Sequence, residues 1–93
     1  MDATIPKPSF TEKQGQYLAF IHAYALVTGR PPAEADMQRF FRVSPPSVHQ
    51  MVLTLERLRF ISRQPGLARS IELLVRPENL PQLQPVISSV QRY

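Results

Sequence analysis

The chain has 93 residues, which is enough for one small domain with a single core, and it contains no cysteine. The lack of cysteine excludes a disulfide framework and a cysteine-based zinc site. Nothing near the first residue resembles a signal peptide, and no apolar stretch is long enough to span a membrane. We therefore expect a cytoplasmic protein without a membrane partner.

Positive charge exceeds negative charge, with eleven Lys and Arg against seven Asp and Glu and a net charge of +4. Nine of the eleven basic residues are arginine, whose forked guanidinium suits phosphate and the edge of guanine. A basic balance is compatible with a nucleic-acid partner, but many small soluble domains are mildly basic without one. Charge alone leaves the partner open.

Residues 1–9 hold two prolines and no periodic pattern, and we expect them to form a flexible arm. A first helix is predicted over residues 11–28, because Thr11 and Gln14 have the spacing of a capping box. Gly29 and the following Arg-Pro-Pro end it. Its apolar stripe consists of Tyr17, Leu18, Ile21, Tyr24 and Ala25.

Two shorter helices are predicted next, over residues 33–41 and 44–58. Glu34 and Asp36 suit the positive N-terminal end of the helix over residues 33–41, whereas Ser44 is a good N-cap for the helix over residues 44–58. The expected buried residues are Met37, Phe40, Phe41, Val48, Met51, Val52, Leu55 and Leu58. Because a turn of about three residues joins the pair, we interpret it as a helix-turn-helix.

Two short strands are predicted over residues 60–64 and 70–75, with Pro65 and Gly66 at the hairpin tip. Three helices followed by a basic hairpin predict a mainly α fold with a small β-hairpin, a winged helix-turn-helix domain over residues 10–76.

Residues 77–93 are a proline-rich tail in which residues 86–93 could form a helical turn or two. A single winged helix buries limited surface on DNA, so specific binding would benefit from a second copy. We therefore regard the tail as a possible contact for a homodimer or another partner.

The side of the third helix away from its apolar stripe carries Pro46, Ser47, His49, Gln50, Leu53, Thr54 and Arg57. In a helix-turn-helix, early residues of the second helix touch base edges, and Gln can pair with adenine there. A merely solvated helix face would have a similar composition, so both interpretations stay open at this point.

The wing carries Arg63 and Arg69, with Arg59 just before its first strand, while Arg39 and Arg42 flank the turn. Arginines in these places suit phosphate contacts. The alternative is that they only keep the protein soluble and protect strand edges.

No motif indicates an enzyme, a metal or a cofactor. His22 and His49 lie on different helices without ligand-spaced partners, and there is no phosphate loop or nucleophile elbow. Tyr17, Phe20 and Tyr24 could form a stacking platform for single strands, although helical spacing favours core packing for both tyrosines.

About two-thirds of the chain resembles the N-terminal DNA-binding domain of the LexA repressor. The matching features, in order, are Phe10-Thr11 with Gln14, Phe20-Ile21, Gly29-Arg30-Pro31-Pro32, Ser44-Pro45, Ser47-Val48-His49, Leu55-Glu56-Arg57-Leu58, Phe60-Ile61, Pro65 and Arg69-Ser70-Ile71-Glu72-Leu73-Leu74. The resemblance implies a winged domain that binds duplex DNA through the major groove, as a transcriptional regulator. It places base-reading positions at Ser44, Pro46, Ser47, His49 and Gln50, and backbone contacts at Arg63, Arg69 and nearby residues.

The chain also departs from the family. The self-cleaving serine-lysine peptidase and main dimer interface of the family lie beyond the matching region, so we expect no autocleavage here. Phe41 stands where the family has a small residue, which predicts a bulkier turn, and Pro46 cannot donate a hydrogen bond. The alternative function is a protein-interaction module without DNA binding, which exposed Leu53, Leu67 and Leu80 would favour.

Overall fold

The computed structural model describes residues 9–86, and its first element is helix α1, Glu12–Thr28. Thr11 and Gln14 exchange the two hydrogen bonds of a capping box, each 3.0 Å long. Gly29 ends the helix with a φ of 83°, a left-handed conformation that glycine adopts at little cost. The predicted start and end of the first helix are confirmed.

Helices α2, Glu34–Phe41, and α3, Pro45–Arg57, form the predicted helix-turn-helix. Arg42, the C-cap residue of α2, has a left-handed backbone conformation with a φ of 58°. Ser44 then caps α3, because its hydroxyl oxygen accepts a hydrogen bond of 3.3 Å from the Ser47 amide. Pro45 occupies the first helical position, where its missing amide proton is no loss.

The core lies where α1 packs on α2, α3 and the inner residues of the wing. Tyr17 of α1 stacks on Phe41 of α2 with 4.1 Å between ring centroids, and both side chains are fully buried. Burial raises the pKa of Tyr17 to about 12. The rest of the buried apolar cluster is Leu18, Phe20, Ile21, Met37, Val48, Val52, Leu55, Ile61, Ile71 and Val75.

This core corrects two predictions. Phe41 does not make the turn bulkier, since its side chain points into the core instead. Leu58 is 44% exposed rather than buried, because it lies one residue past the end of α3, and the chain turns away at Arg59 with a φ of 65°. Phe20 and Tyr17 belong to the core, so they are not available as a stacking platform.

The wing is a hairpin of two antiparallel strands, β1 (Ile61–Ser62) and β2 (Glu72–Leu73). Both strands are shorter than predicted. Towards the tip, the Ser70 hydroxyl accepts from the Gln64 amide at 2.9 Å and lies 2.9 Å from the Leu67 carbonyl, which takes the place of ladder bonds. The predicted tip is confirmed, as Gly66 has a φ of 80°.

After β2 a short 3-10 helix, Pro77–Asn79, leads the chain back along α1. The Gln16 side-chain amide donates to the Gln82 carbonyl at 3.0 Å, and its oxygen accepts from the Gln84 amide at 2.8 Å. Leu80, Leu83 and Val86 pack on the core. This part of the tail is therefore docked on the domain itself.

The close approach of the tail accounts for Gly15 near the start of α1. A Cβ atom at this position would lie 3.0 Å from both Phe10 Cε1 and Pro81 Cγ. Residues 1–8 of the predicted arm and residues 87–93 of the tail, including most of the predicted helical turns, lie outside the described residues. Within residues 9–86, no helix is long and apolar enough to cross a membrane.

Candidate nucleic-acid interface

The side of α3 that faces away from the core is exposed and mostly polar. Pro46, Gln50 and Arg57 follow at steps of four and seven residues, so they lie along one line of the helix surface. The opposite side of the helix supplies its buried residues to the core. The exposed members, which we call the reading face, are Pro46, Ser47, His49, Gln50 and Arg57.

Two serines shape the start of the reading face. The Ser44 and Ser47 hydroxyl oxygens lie 3.0 Å apart, and both residues are exposed. Ser44 also caps the helix, so its hydroxyl already has a structural task. The five predicted base-reading residues thus lie together on the first two turns of α3 and its cap.

His49 is held by a carboxylate from the preceding helix. Its Nδ1 lies 3.2 Å from both Oε1 and Oε2 of Glu34, at the first position of α2. The side chains remain 50% and 31% exposed, respectively. The sequence pattern marked Glu34 only as a favourable charge at a helix start, because a contact across fifteen residues depends on how α2 and α3 cross.

Lys13 is a second residue that the sequence did not single out. It lines one shallow surface depression together with Pro46, Ser47, Gln50, Met51 and Thr54. Lys13 is exposed and belongs to the first turn of α1. It therefore places a positive charge beside the reading face, and only the packing of α1 against α3 reveals this.

Three of the six predicted backbone-contacting arginines are exposed and form no ion pair within residues 9–86. Arg42 precedes α3, while Arg57 and Arg59 lie at its other end. Arg42 and Arg59 both have positive φ values, of 58° and 65°. The cations thus flank the reading face at both ends of the helix.

The other three arginines are engaged within the chain. Arg63 Nε donates to Glu56 Oε1 at 3.1 Å, and the Arg63 side chain is only 16% exposed. Arg39 pairs with Asp36 but is 72% exposed, so it remains accessible to a partner.

Arg69 joins the wing to the helices. Its Nη1 lies 3.2 Å from the Tyr24 hydroxyl, 3.2 Å from the Pro31 carbonyl and 3.1 Å from Asp36 Oδ2. The guanidinium carbon also lies 5.9 Å from the Tyr24 ring centroid. These contacts connect the wing with α1, α2 and the loop between them, so Arg69 holds the wing in place; its predicted contact with DNA stays a prediction.

Asp36 is the buried centre of this network, with a side chain that is 8% exposed. Burial alone would raise its pKa. The Ala33 amide, which donates to it at 2.8 Å, and the guanidinium groups of Arg69 and Arg39 outweigh burial and hold the pKa of Asp36 below its usual value. Asp36 thus also satisfies the Ala33 amide at the start of α2, where Ala33 itself offers no side-chain acceptor.

A cleft between the wing and the start of α2 adjoins the reading face. Its walls include Glu34, His49, Arg63, Leu67 and Arg69. Among residues 9–86, no group of three or more His, Asp or Glu side chains is placed to hold a metal ion.

Comparison with known proteins finds matches over the part of the chain that contains the three helices and most of the wing. The family model described as "LexA DNA binding domain" matches residues 7–70. The LexA repressors of Thermosipho africanus (strain TCF52B) and Thermosipho melanesiensis (strain DSM 12029 / CIP 104789 / BI429) are each 37% identical over 70 residues, which cover 75% of this chain. The aligned region spans only 35% of the length of either relative.

Proposed function

The chain belongs to the LexA DNA-binding domain family, and we propose that it binds double-stranded DNA with α3 in the major groove. The major groove admits an α-helix, and a helix-turn-helix directs the early residues of its second helix to base edges. The observation that carries the proposal is the reading face, which is exposed and mostly polar, with cations at both ends of α3.

The first residues of the reading face, and Ser44 at the helix cap, suit different contacts. Gln50 can form two hydrogen bonds with adenine, whereas the Ser47 hydroxyl can donate or accept. Pro46 offers only apolar surface, which suits a thymine methyl group. Ser44 contributes a hydroxyl at the cap, and His49 contributes an imidazole nitrogen.

The exposed cations around α3 are the candidates for phosphate contacts. We assign these contacts to Lys13, Arg42, Arg57 and Arg59, with exposed Arg39 beside them. Arg63 and Arg69 are already bound by Glu56 and Asp36. Their main role in the proposal is therefore to hold the wing at a fixed angle to α3.

Regulation of transcription is the biological role that we propose for this binding. The relatives are named LexA repressors, and occupation of an operator would block transcription. A bacterial regulator of this kind acts on DNA in the cytoplasm, which is the location we propose. We assign no catalytic role to these residues.

We further propose that two copies act together on adjacent half-sites, because one winged helix buries limited surface on DNA. Half-sites one helical turn apart would then be separated by about 34–36 Å. The tail is the candidate contact between copies. Deletion of residues 87–93 should shift a dimer to a monomer in sedimentation; an unchanged assembly state and unchanged DNA affinity would remove the tail from this role.

The alternative of a protein-interaction module loses part of its support. Leu53 and Leu80 are half-buried, whereas Leu67 is 56% exposed. Only one of the three leucines on which this alternative rested is therefore exposed, and isolated exposed leucines are ordinary on a soluble surface.

Selection from random DNA duplexes tests the proposal. We expect the wild-type protein to enrich one sequence motif, and we expect Gln50→Ala to lose the preference for adenine at one position of it. A good base contact contributes about 1–3 kcal/mol of discrimination. Thr28→Ala, a change at the end of α1, is a control that should select the wild-type motif. Recovery of no motif by the wild-type protein would contradict sequence-specific binding.

A further inference from the structure

The contact between Glu34 and His49 joins two helices at the edge of the reading face. Both carboxylate oxygens of Glu34 lie 3.2 Å from His49 Nδ1. The rest of the imidazole is accessible, since the side chain is 50% exposed. One ring nitrogen is therefore occupied by the protein, and the other is left for a partner.

The chemistry of the pair determines which nitrogen carries the proton. A carboxylate can only accept hydrogen bonds, so Nδ1 must donate and must carry a hydrogen. In the unprotonated ring Nε2 is then an acceptor, because neutral imidazole has one donor and one acceptor. Without Glu34 either tautomer could form, and the ring could turn about its side-chain bonds.

We propose that Glu34 is a positioning residue for DNA recognition, which fixes the orientation and tautomer of His49 so that Nε2 accepts a hydrogen bond from an exocyclic base amine. Adenine N6 and cytosine N4 are the amine donors in the major groove. The inference rests on the proposed function, because it assigns a base preference to a residue of the same reading face.

The carboxylate has a second effect that the experiment must separate from the first. Glu34 adds negative charge near the DNA phosphates, so its removal should raise affinity for every duplex. Positioning changes the ratio of affinities between base pairs instead. The ratio at the position read by His49 is therefore the quantity to measure.

Two substitutions at one position separate these effects. Glu34→Gln removes the charge but keeps an amide oxygen that can accept from Nδ1, whereas Glu34→Ala removes both. We expect Glu34→Ala to reduce discrimination about three- to tenfold at the base pair whose preference His49→Ala abolishes. We expect Glu34→Gln to keep most of it. In the His49→Ala protein, Glu34→Ala should cause no further loss.

Binding of every variant should be measured at the same alkaline pH, about 8.5. Glu78→Ala is the matched control, because this exposed carboxylate lies in the 3-10 helix and pairs with Arg76 outside the reading face. It should keep wild-type discrimination. Nitrogen-15 shifts of the imidazole supply a readout without DNA, and we expect the Nδ1–H tautomer in the wild type and mixed tautomers in Glu34→Ala.

The outcomes distinguish the two proposals. If the wild type binds no duplex, the proposed function and this inference both fail. If the wild type binds with a sequence preference that Glu34→Ala leaves intact, only the inference fails. A wild-type ring in the Nε2–H tautomer would also overturn the inference while leaving DNA binding untouched.

Discussion

Side-chain partners differ among the arginines that were predicted to contact phosphates. Arg63 and Arg69 are on the wing, where a DNA contact is expected, yet each is bound by a carboxylate of its own chain. The sequence could not show this, since Asp36 and Arg69 are thirty-three residues apart. Charge reversal at Arg69 would therefore disrupt the fold, and a loss of DNA binding would then say little about direct contact.

The Asp36 network predicts acid sensitivity. The folded state lowers the pKa of the Asp36 carboxylate from its ordinary value of 3.8. Asp36 therefore stabilises the fold fully at pH values above 3.8, and this stabilisation is lost as the pH falls through the folded-state pKa. We expect the free energy of unfolding to fall as the pH drops below about 5. Asp36→Asn should be about 1–3 kcal/mol less stable at pH 7 and should lose less stability on acidification.

Urea denaturation at a series of pH values provides the measurement. Glu78→Gln is the control, since this carboxylate is 66% exposed in a weak pair with Arg76 at 3.6 Å. It should follow the wild-type pH profile. An Asp36→Asn profile parallel to that of the wild type would contradict the role given to Asp36.

At the scale of elements, local signals located the helices well. Thr11, Ser44 and Gly29 act within one turn of their own helix, so their positions in the chain are sufficient to predict its ends. The strands of the wing were predicted too long. Near the tip, side-chain hydrogen bonds of Ser70 and Arg69 take the place of hydrogen bonds between strands. Glu34 and Lys13 were missed at the interface because they reach it only through the packing of α1 and α2 against α3.

The docked tail is the element whose contribution can be tested most directly. Ending the chain at residue 80 removes both partners of the buried Gln16 amide and the contact of Pro81 with Gly15. We expect a loss of about 1–3 kcal/mol in the free energy of unfolding, measured by urea denaturation, from unsatisfied polar groups.

Gln16→Ala is the matched variant, because it removes the same two hydrogen bonds while the tail stays present. Combined with the truncation, it should cost less than the sum of the two separate changes, since both act on one interaction. A truncated chain as stable as the wild type would show that this packing contributes nothing, whereas full additivity would show that the tail does not act through Gln16.

At the scale of the whole molecule, the net charge of +4 does not show where the positive charge is concentrated. Within residues 9–86, internal pairing neutralises several arginines, and the exposed cations without ion pairs include Lys13, Arg42, Arg57 and Arg59 around α3. Neutralising phosphates with such cations releases counterions, so affinity should fall as salt rises. The central claim is that this surface binds duplex DNA.

The measurement that tests this claim most directly is fluorescence anisotropy of a labelled duplex across a salt series. We predict binding that weakens steeply with salt, and a slope of log affinity against log salt that is smaller by about 2 in Arg57→Gln/Arg59→Gln. Arg30→Gln/Arg76→Gln removes the same charge away from α3 and should keep the wild-type slope. No binding at low salt, or equal slopes for both double variants, would contradict the account.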